Sequence, residues 1–151
     1  MPVLHTAVEG PLVRQQASLH HLGFVVGSIA KAAGPFATAM SATWDRKIIH
    51  DPVQRVRVSF FRPFEASNPV FELVEPAELQ SPVSNFLEKG GGLHHVCYEV
   101  DDLLVGLQEA KTVGFVIAAP PAPAVAFHGR RIAWVCSRDR MLMELLERER
   151  A

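Results

Sequence analysis

The sequence predicts an α+β fold built from two similar modules, each with a βαββ or βαβββ order. The first observation behind this prediction is a pair of related openings: segments 19–26 and 93–100 both begin with Leu-His-His and continue as apolar, β-rich runs. The second is a pair of related closing runs, at 70–75 and 141–147, which share an apolar-apolar-Glu-Leu core. A chain that repeats both its opening and its closing element is predicted to repeat the whole module.

The spacing within the two halves agrees with this interpretation. His21 is separated from Glu72 by 51 positions, and His95 from Glu144 by 49. A helical pattern follows each opening strand, capped by Ser28 or Gly27 in the first half and by Asp101 or Asp102 in the second. The second helix is expected to end near Gly114. Two strand-like runs then close each half, at 55–61 and 70–75 and at 131–136 and 141–147.

These patterns set the expected boundaries of the domain. Residues 1–16 form an N-terminal extension, 17–76 the first module, 77–90 a linker with a short helix at 83–89, and 91–148 the second module. The whole is expected to be one compact domain, since 151 residues suit a single core. The proline-rich run 118–126 is predicted to be a stiff loop, because proline cannot donate to a sheet.

Composition excludes several classes of protein. The formal charge of −1 provides no basic field for nucleic acid or an anionic membrane, and no run approaches the roughly 20 apolar residues of a membrane span. The first 16 residues lack the apolar core of a signal peptide. The two cysteines, Cys97 and Cys136, are interpreted as reduced thiols. We therefore expect a cytoplasmic protein with a small-molecule partner.

The repeat also predicts a metal site. Each module contributes one histidine at the start of its first strand and one glutamate in its last, and pairing the modules would bring all four into one cleft. Two imidazoles and two carboxylates suit Zn, Ni, Co, Mn or Fe(II), with positions left open for water or substrate. Glu72 and Glu144 lie inside apolar runs, where an unpaired carboxylate is costly. Glu75 and Glu147 lie at strand ends and are expected to be solvated.

The residues alone leave alternatives open. Alternation along a strand allows only one histidine of each doublet to face the cleft, without deciding which. A single His-His pair is more often structural or exposed than metal-binding, and a single glutamate in a strand often faces water. Their joint recurrence at matched spacing favours the metal site. Cys97 shares the parity of His95 and could line the cleft, although a small buried apolar role is more common.

Several stretches carry a resemblance to a known family. They are Leu-His-His-Leu-Gly at 19–23, Phe-Glu-Leu-Val-Glu-Pro at 71–76, Ser-Pro-Val-Ser-Asn-Phe-Leu-Glu-Lys-Gly-Gly-Gly-Leu-His-His-Val at 81–96, Glu-Val-Asp-Asp-Leu at 99–103, His-Gly-Arg-Arg-Ile-Ala at 128–133 and Met-Glu-Leu at 143–145. Over this length the chain resembles the vicinal oxygen chelate (glyoxalase/bleomycin resistance/dioxygenase) superfamily, and within it methylmalonyl-CoA epimerase-like members.

The resemblance implies a fold and a ligand set. The fold would be a pair of βαβββ modules whose curled, mixed sheet encloses one divalent metal, here Zn, Ni, Co or Mn. The ligands would be the second histidine of each doublet and the glutamate of each closing strand, which are His21, Glu72, His95 and Glu144. The resemblance also implies a homodimer.

Two departures from the family pattern bear on the substrate. Epimerases of this type carry a Glu-Gln pair just before the strand that begins near Arg55, and that glutamate is a base; a gapless alignment places Val53-Gln54 there. The turn at 137–140 is also shorter than the Gly-rich loop of those epimerases.

The leading functional hypothesis is a metal-dependent isomerase or epimerase that abstracts a proton α to a metal-polarised carbonyl, with an acyl thioester as the candidate substrate. Glu144 and Glu72 are the candidate catalytic groups, with His50 and Asp51 as alternatives because they lie near the missing base. His50, His128 and Arg130 are candidate substrate-binding residues. A glyoxalase I-like lyase acting on a thiol–oxoaldehyde adduct is the first alternative, and a small-molecule-binding protein on the same fold is the second.

Overall fold

The computed structural model describes residues 17–150, so the predicted extension at 1–16 lies outside the described residues. The elements, in chain order, are β1 (Ser18–Val25), α1 (Ile29–Ala39), β2 (Ala42–Trp44), β3 (Ile49–Asp51), β4 (Val56–Pro63), β5 (Val70–Pro76), α2 (Ser84–Glu88), β6 (Gly92–Val100), α3 (Leu103–Thr112), β7 (Val116–Pro123), a 3-10 turn (Val125–Phe127), β8 (Arg131–Cys136) and β9 (Leu142–Glu147).

All strands join one mixed sheet with the order β2-β4-β5-β1-β6-β9-β8-β7, and β3 also pairs with β4. β2 and β3 both lie along β4, so together they occupy the place that β7 occupies beside β8. The two halves are therefore equivalent βαβββ modules, which confirms the predicted α+β fold. They meet where β1 and β6 pair antiparallel, and each opening strand runs parallel to its own closing strand, β5 or β9.

The helices begin where capping side chains predict. Ser28 accepts a hydrogen bond from the Lys31 amide at the start of α1, and Asp102 accepts one from the Val105 amide at the start of α3. Of the alternatives left open by the sequence, Ser28 and Asp102 are therefore the caps. The short helix α2 lies within the predicted linker.

Both long helices pack on the same kind of apolar surface. α1 buries Ile29 and Ala33 against Phe61 and Leu73, and α3 buries Leu103, Leu107 and Ala110 in a second cluster with neighbours from β6, β8 and β9. Phe24 of β1 packs in the first of these clusters and Tyr98 of β6 in the second. Alternation then directs His21 and His95 to the opposite face of the sheet, here called the inner face.

The proline-rich run is a strand, and the prediction of a loop there was wrong. β7 includes Pro120, Pro121 and Pro123 and pairs only with β8, with two register shifts along the pair. Among residues 17–150, β7 is an edge strand with a free outer side. A proline on that side lacks an N–H group where no neighbouring strand would accept its hydrogen bond, so the sheet loses nothing. Within the described residues, the helices are too short or too polar to cross a membrane.

Candidate metal centre

Four side chains from four strands meet on the inner face of the sheet. They are His21 of β1, Glu72 of β5, His95 of β6 and Glu144 of β9, and the whole residues are 0–4% exposed. The Nε2 atoms of His21 and His95 are 3.1 Å apart. His21 Nε2 lies 3.7 Å from a carboxylate oxygen of Glu72 and 3.7 Å from one of Glu144, and His95 Nε2 lies 3.5 Å from the other Glu72 oxygen.

The first histidine of each doublet contacts the second through its ring. Nδ1 of His20 lies 2.8 Å from Nδ1 of His21, and Nδ1 of His94 lies 2.9 Å from Nδ1 of His95. Each pair shares one hydrogen bond between these two atoms, which leaves Nε2 of His21 and His95 directed at the carboxylates. Neighbouring imidazoles of this kind fix the ring orientation that a metal ligand needs.

Aromatic side chains hold the two inner imidazoles in place. The ring of Phe127 stacks on His21 with centroids 5.8 Å apart, and the indole of Trp134 meets His95 edge-on at 4.8 Å. Opposite His95 stands Gly23, which pairs with it in register across β1 and β6. Gly23 is a site residue that the sequence could have indicated, because a glycine inside a strand pattern is a signal of close approach by another group.

Burial shifts the pKa of each of the four groups in the direction that favours its neutral form. Desolvation and then His20 lower the pKa of His21 to about 3, and desolvation, His21 and His94 lower that of His95 well below its usual value. Desolvation raises the pKa of Glu144 to about 7, with an opposing hydrogen bond from Cys97 and a further increase due to Asp51. Desolvation and the charge of Glu144 raise the pKa of Glu72 well above its usual value. The imidazoles are thus neutral, with lone pairs available to a metal.

The donor set fits a divalent ion. Oε1 of Glu144 is buried and has no hydrogen-bond partner within residues 17–150, and such an atom normally has a protein, water or ion partner. His21, His95 and Glu144 each offer a ligand atom, and these atoms lie within 4.8 Å of one another. Ligands bound at about 2.0–2.2 Å stand about 3–3.5 Å apart, close to the separations measured here. Neutral imidazole and carboxylate donors suit Zn, Ni, Co or Mn.

A cavity of about 230 Å³ adjoins this group of side chains. Its walls are mostly apolar, and its polar lining consists of Asp51, Gln54, Glu72, His94, His95 and Glu144. Cys97 is fully buried next to Glu144, to which its thiol donates a hydrogen bond. Desolvation raises the pKa of this thiol. This makes Cys97 a neighbour of Glu144 rather than part of the cavity wall.

Of the remaining candidates from the sequence, Asp51 lines the cavity and the others lie outside it. His50 and Asp51 alternate on β3, so Asp51 is buried and lines the cavity while His50 is exposed. His128 is exposed with a left-handed backbone, φ 56°, after the 3-10 turn. Arg130 donates to Glu99 at 2.6 Å. Val53 is 56% exposed in the turn after Asp51.

The fold and site define a paired-module α+β protein with a buried cluster of two histidines and two glutamates whose donor atoms fit a divalent ion. The chain matches the Glyoxalase/Bleomycin resistance protein/Dioxygenase superfamily over residues 10–134 and belongs to it. Members of this superfamily bind a divalent metal. The match covers most of the chain and includes both histidine doublets.

Individual relatives point to one branch of the family. The ethylmalonyl-CoA/methylmalonyl-CoA epimerase of Cereibacter sphaeroides is 29% identical over 123 residues, which are 80% of this chain and 89% of the relative. A hypothetical protein of Bacillus halodurans has a structure with a TM-score of 0.76 and 26% identity, covering 89% of this chain and 96% of that one. A variant of Streptomyces coelicolor methylmalonyl-CoA epimerase, in complex with 2-nitronate-propionyl-CoA, has a TM-score of 0.72 at 20% identity, covering 86% and 93%. These relatives support an epimerase-like role.

Proposed function

We propose that this protein is a metal-dependent epimerase or isomerase that removes a proton α to the carbonyl of an acyl thioester. The observation that carries the proposal is the meeting of His21, His95, Glu72 and Glu144 at 3.1–3.7 Å beside a mostly apolar cavity. The proposed ligands are these four side chains, and the proposed ion is Zn, Ni, Co or Mn. A divalent ion held there would supply a Lewis acid for the carbonyl oxygen.

The two glutamates are the proposed proton carriers. They come from equivalent strands of the two modules, β5 and β9, so they approach the site from opposite sides of the β1–β6 junction. An epimerase must take a proton from one face of a carbon and return one to the other, and a pair of carboxylates meets that requirement.

Asp51 is the third carboxylate of the cavity. Asp51 and His50 both lie close in sequence to the position of the missing family base, but only Asp51 lines the cavity. Its oxygens accept hydrogen bonds from the amides of Val53 and Gln54 at 3.0 Å and from that of Val125 at 3.3 Å. Because both oxygens are engaged in this way, we assign the proton transfer to Glu144 and Glu72.

A glyoxalase I-like lyase is the second candidate. Two observations favour it: the centre has a glutamate from each module, and Val53, at the apparent position of the epimerase base, is exposed outside the cavity. Both reactions move a proton next to a carbonyl, so they share the metal centre and differ in substrate. The binding-protein alternative, the homodimer, the cytoplasmic location and substrate roles for His50, His128 and Arg130 stay predictions.

The first experiment measures metal content by elemental mass spectrometry after purification without chelator or an affinity-tag metal. We expect about one ion per chain in the wild type and in His50→Ala, an exposed matched control, and loss of the ion in His95→Ala. The second measures exchange of the α-proton into deuterated water for acyl-CoA thioesters and for a glutathione–methylglyoxal adduct. Exchange on a thioester supports the epimerase, and turnover of the adduct alone supports the lyase. A wild type that binds none of the four metals would contradict both.

A further inference from the structure

The lining of the cavity has an unusual distribution of charge. Asp51, Glu72 and Glu144 all face it, and each is only 3–4% exposed. Its other polar groups are Gln54 and two histidines, His94 and His95. Among the described residues that line it, there is no lysine or arginine.

Three arginines on or beside the strands that line the cavity form ion pairs outside it. Arg57 donates to Glu75 at 2.6 Å, and Arg130 donates to Glu99 at the same distance. Arg131 forms two hydrogen bonds with Glu147, at 2.8 and 2.9 Å. Each of these guanidinium groups already has a carboxylate partner outside the cavity.

These residues determine the net charge of the cavity when a divalent ion is bound. A divalent ion bound by neutral imidazoles and two ionised glutamates gives a centre with no net charge. Asp51 adds one negative charge, which is stabilised by three backbone amides rather than by a cation. The loaded cavity is then anionic and largely apolar. A further carboxylate brought in by a substrate would be a second buried anion beside an ion whose charge the two glutamates already offset, with no lysine or arginine in the lining to balance it, which is costly.

We propose that this site selects a small acyl group with no free carboxylate, and that Asp51 and Glu72 exclude acyl groups that carry one. This inference rests on the proposed function and narrows its substrate class to uncharged acyl thioesters. The volume of about 230 Å³ admits a short group next to the centre, since pockets for whole drug-sized ligands span about 300–1,000 Å³. The apolar walls, including Val58, Val74 and Trp134, suit an uncharged group of that size.

The test compares two ligands that differ only in charge. Lactate and lactamide are nearly isosteric, and each can present a hydroxyl and a carbonyl oxygen to an ion, but only lactate is an anion. Their dissociation constants are measured by isothermal titration calorimetry on metal-loaded wild type, Asp51→Asn, Glu72→Gln and the control Asp45→Asn. Asp45 is an exposed aspartate that also accepts from a backbone amide two residues on.

The wild type and Asp45→Asn should bind lactate no more tightly than lactamide. Removing one carboxylate from the cavity should raise the affinity for lactate relative to that for lactamide by about tenfold, as expected for one charge–charge interaction in a partly shielded site. Glu72→Gln provides the same test if Asp51→Asn fails to fold, and its metal content is measured alongside. Lactate binding more tightly than lactamide in the wild type, or unchanged by both substitutions, would overturn the proposal.

Proton exchange separates this proposal from the one on which it rests. If lactoyl-CoA exchanges its α-proton and methylmalonyl-CoA does not, both proposals are supported. If methylmalonyl-CoA exchanges faster, the proposed function survives and the charge selection is overturned. If neither thioester exchanges although lactamide binds in preference to lactate, the epimerase proposal fails and the selection against anions stands.

Discussion

Gly23 lies directly opposite His95 across the β1–β6 junction, and the imidazole occupies the space that a side chain at position 23 would fill. A Cβ atom built on Gly23 would be 2.0 Å from His95 Cε1 and 2.5 Å from each ring nitrogen. Real Cβ atoms do not approach other atoms so closely, so the missing side chain is what allows His95 to direct Nε2 at the carboxylates.

Replacing Gly23 with alanine should therefore displace the His95 ring and weaken metal binding. We expect a loss of about ten- to a hundredfold in metal affinity, the range seen when groups that orient a ligand are disturbed. The measurement is a competition titration with a chelator of known affinity. Gly106→Ala is the control, because a Cβ there meets neighbours at an ordinary 3.7 Å and alanine favours the helix. Unchanged affinity in Gly23→Ala would show that the ring does not need this space.

The outer histidines of the two doublets should act as positioning residues. Phenylalanine at position 20 would keep the edge-on contact with Phe127 but remove the 2.8 Å contact between the Nδ1 atoms of His20 and His21. The His21 ring then loses the partner that fixes its orientation, and we expect about tenfold weaker metal binding in His20→Phe.

The exposed His50→Phe provides the matched control, with no change in affinity expected. His20 lies outside the cavity, so the affinity of lactamide for fully loaded protein should stay close to the wild-type value. A parallel loss of lactamide affinity at metal saturation would instead indicate a general disturbance of the site.

The sequence predicted most of the fold because the repeat is explicit in it. Matched openings and closing runs locate β1, β5, β6 and β9, and these four strands provide all four proposed ligands. Pairing the modules could be inferred as well, since a single His and a single Glu from each half form a plausible centre only when combined. The choice of His21 over His20 could not be inferred, because alternation is symmetric until a core-facing neighbour such as Phe24 is known.

Other features could not be predicted from the sequence because they depend on tertiary structure. β7 was missed because prolines forbid only a central strand, and edge position is not visible in sequence. β2 and β3 were missed because each has three residues, with left-handed turns at Ser41 and Arg46 beside them. His50 was favoured equally with Asp51 by its proximity to the missing base, but alternation on β3 leaves only one of the two facing the cavity.

Asp51 should matter for stability as well as for selectivity. Alanine at this position would leave three backbone amides, those of Val53, Gln54 and Val125, without their acceptor. Losing a buried acceptor of this kind costs about 1–3 kcal/mol. We expect the free energy of unfolding, measured by urea titration of the metal-free protein, to fall by that amount. Asp45→Ala removes one exposed hydrogen bond and should change it by less than about 0.5 kcal/mol. Equal effects of the two substitutions would contradict the role assigned to Asp51.

The stability of the metal-free protein should fall as pH rises above 7.5. Burial lowers the pKa of His20, His21, His94 and His95 below the usual 6.5, to about 3 for His21 and about 4 for His94, so by pH 7.5 these imidazoles are largely neutral in both the folded and the unfolded chain. Glu144 has a folded pKa of about 7, above its usual 4.5, and the pKa of Glu72 is raised well above the same value. Above pH 7.5 the unfolded chain has already released both carboxyl protons while the folded chain still holds part of them, so raising the pH favours unfolding.

Chemical denaturation in the presence of a chelator, at pH 7.5 and pH 8.5, measures this effect. The wild type should have a lower free energy of unfolding at pH 8.5, and Glu144→Gln should show a smaller difference, because its amide does not titrate and no longer opposes ionisation of Glu72. A wild type that becomes more stable between pH 7.5 and 8.5 without metal would show that the two glutamates are ionised in the metal-free fold.

Two further measurements follow from the same groups. Below pH 4.5 the histidines dominate, and stability should fall again as pH decreases toward 3, since the unfolded imidazoles bind protons that the buried ones do not. Zn added to chelator-free protein should reverse the loss at pH 8.5, because an ion favours the ionised carboxylates and stabilises only the folded chain.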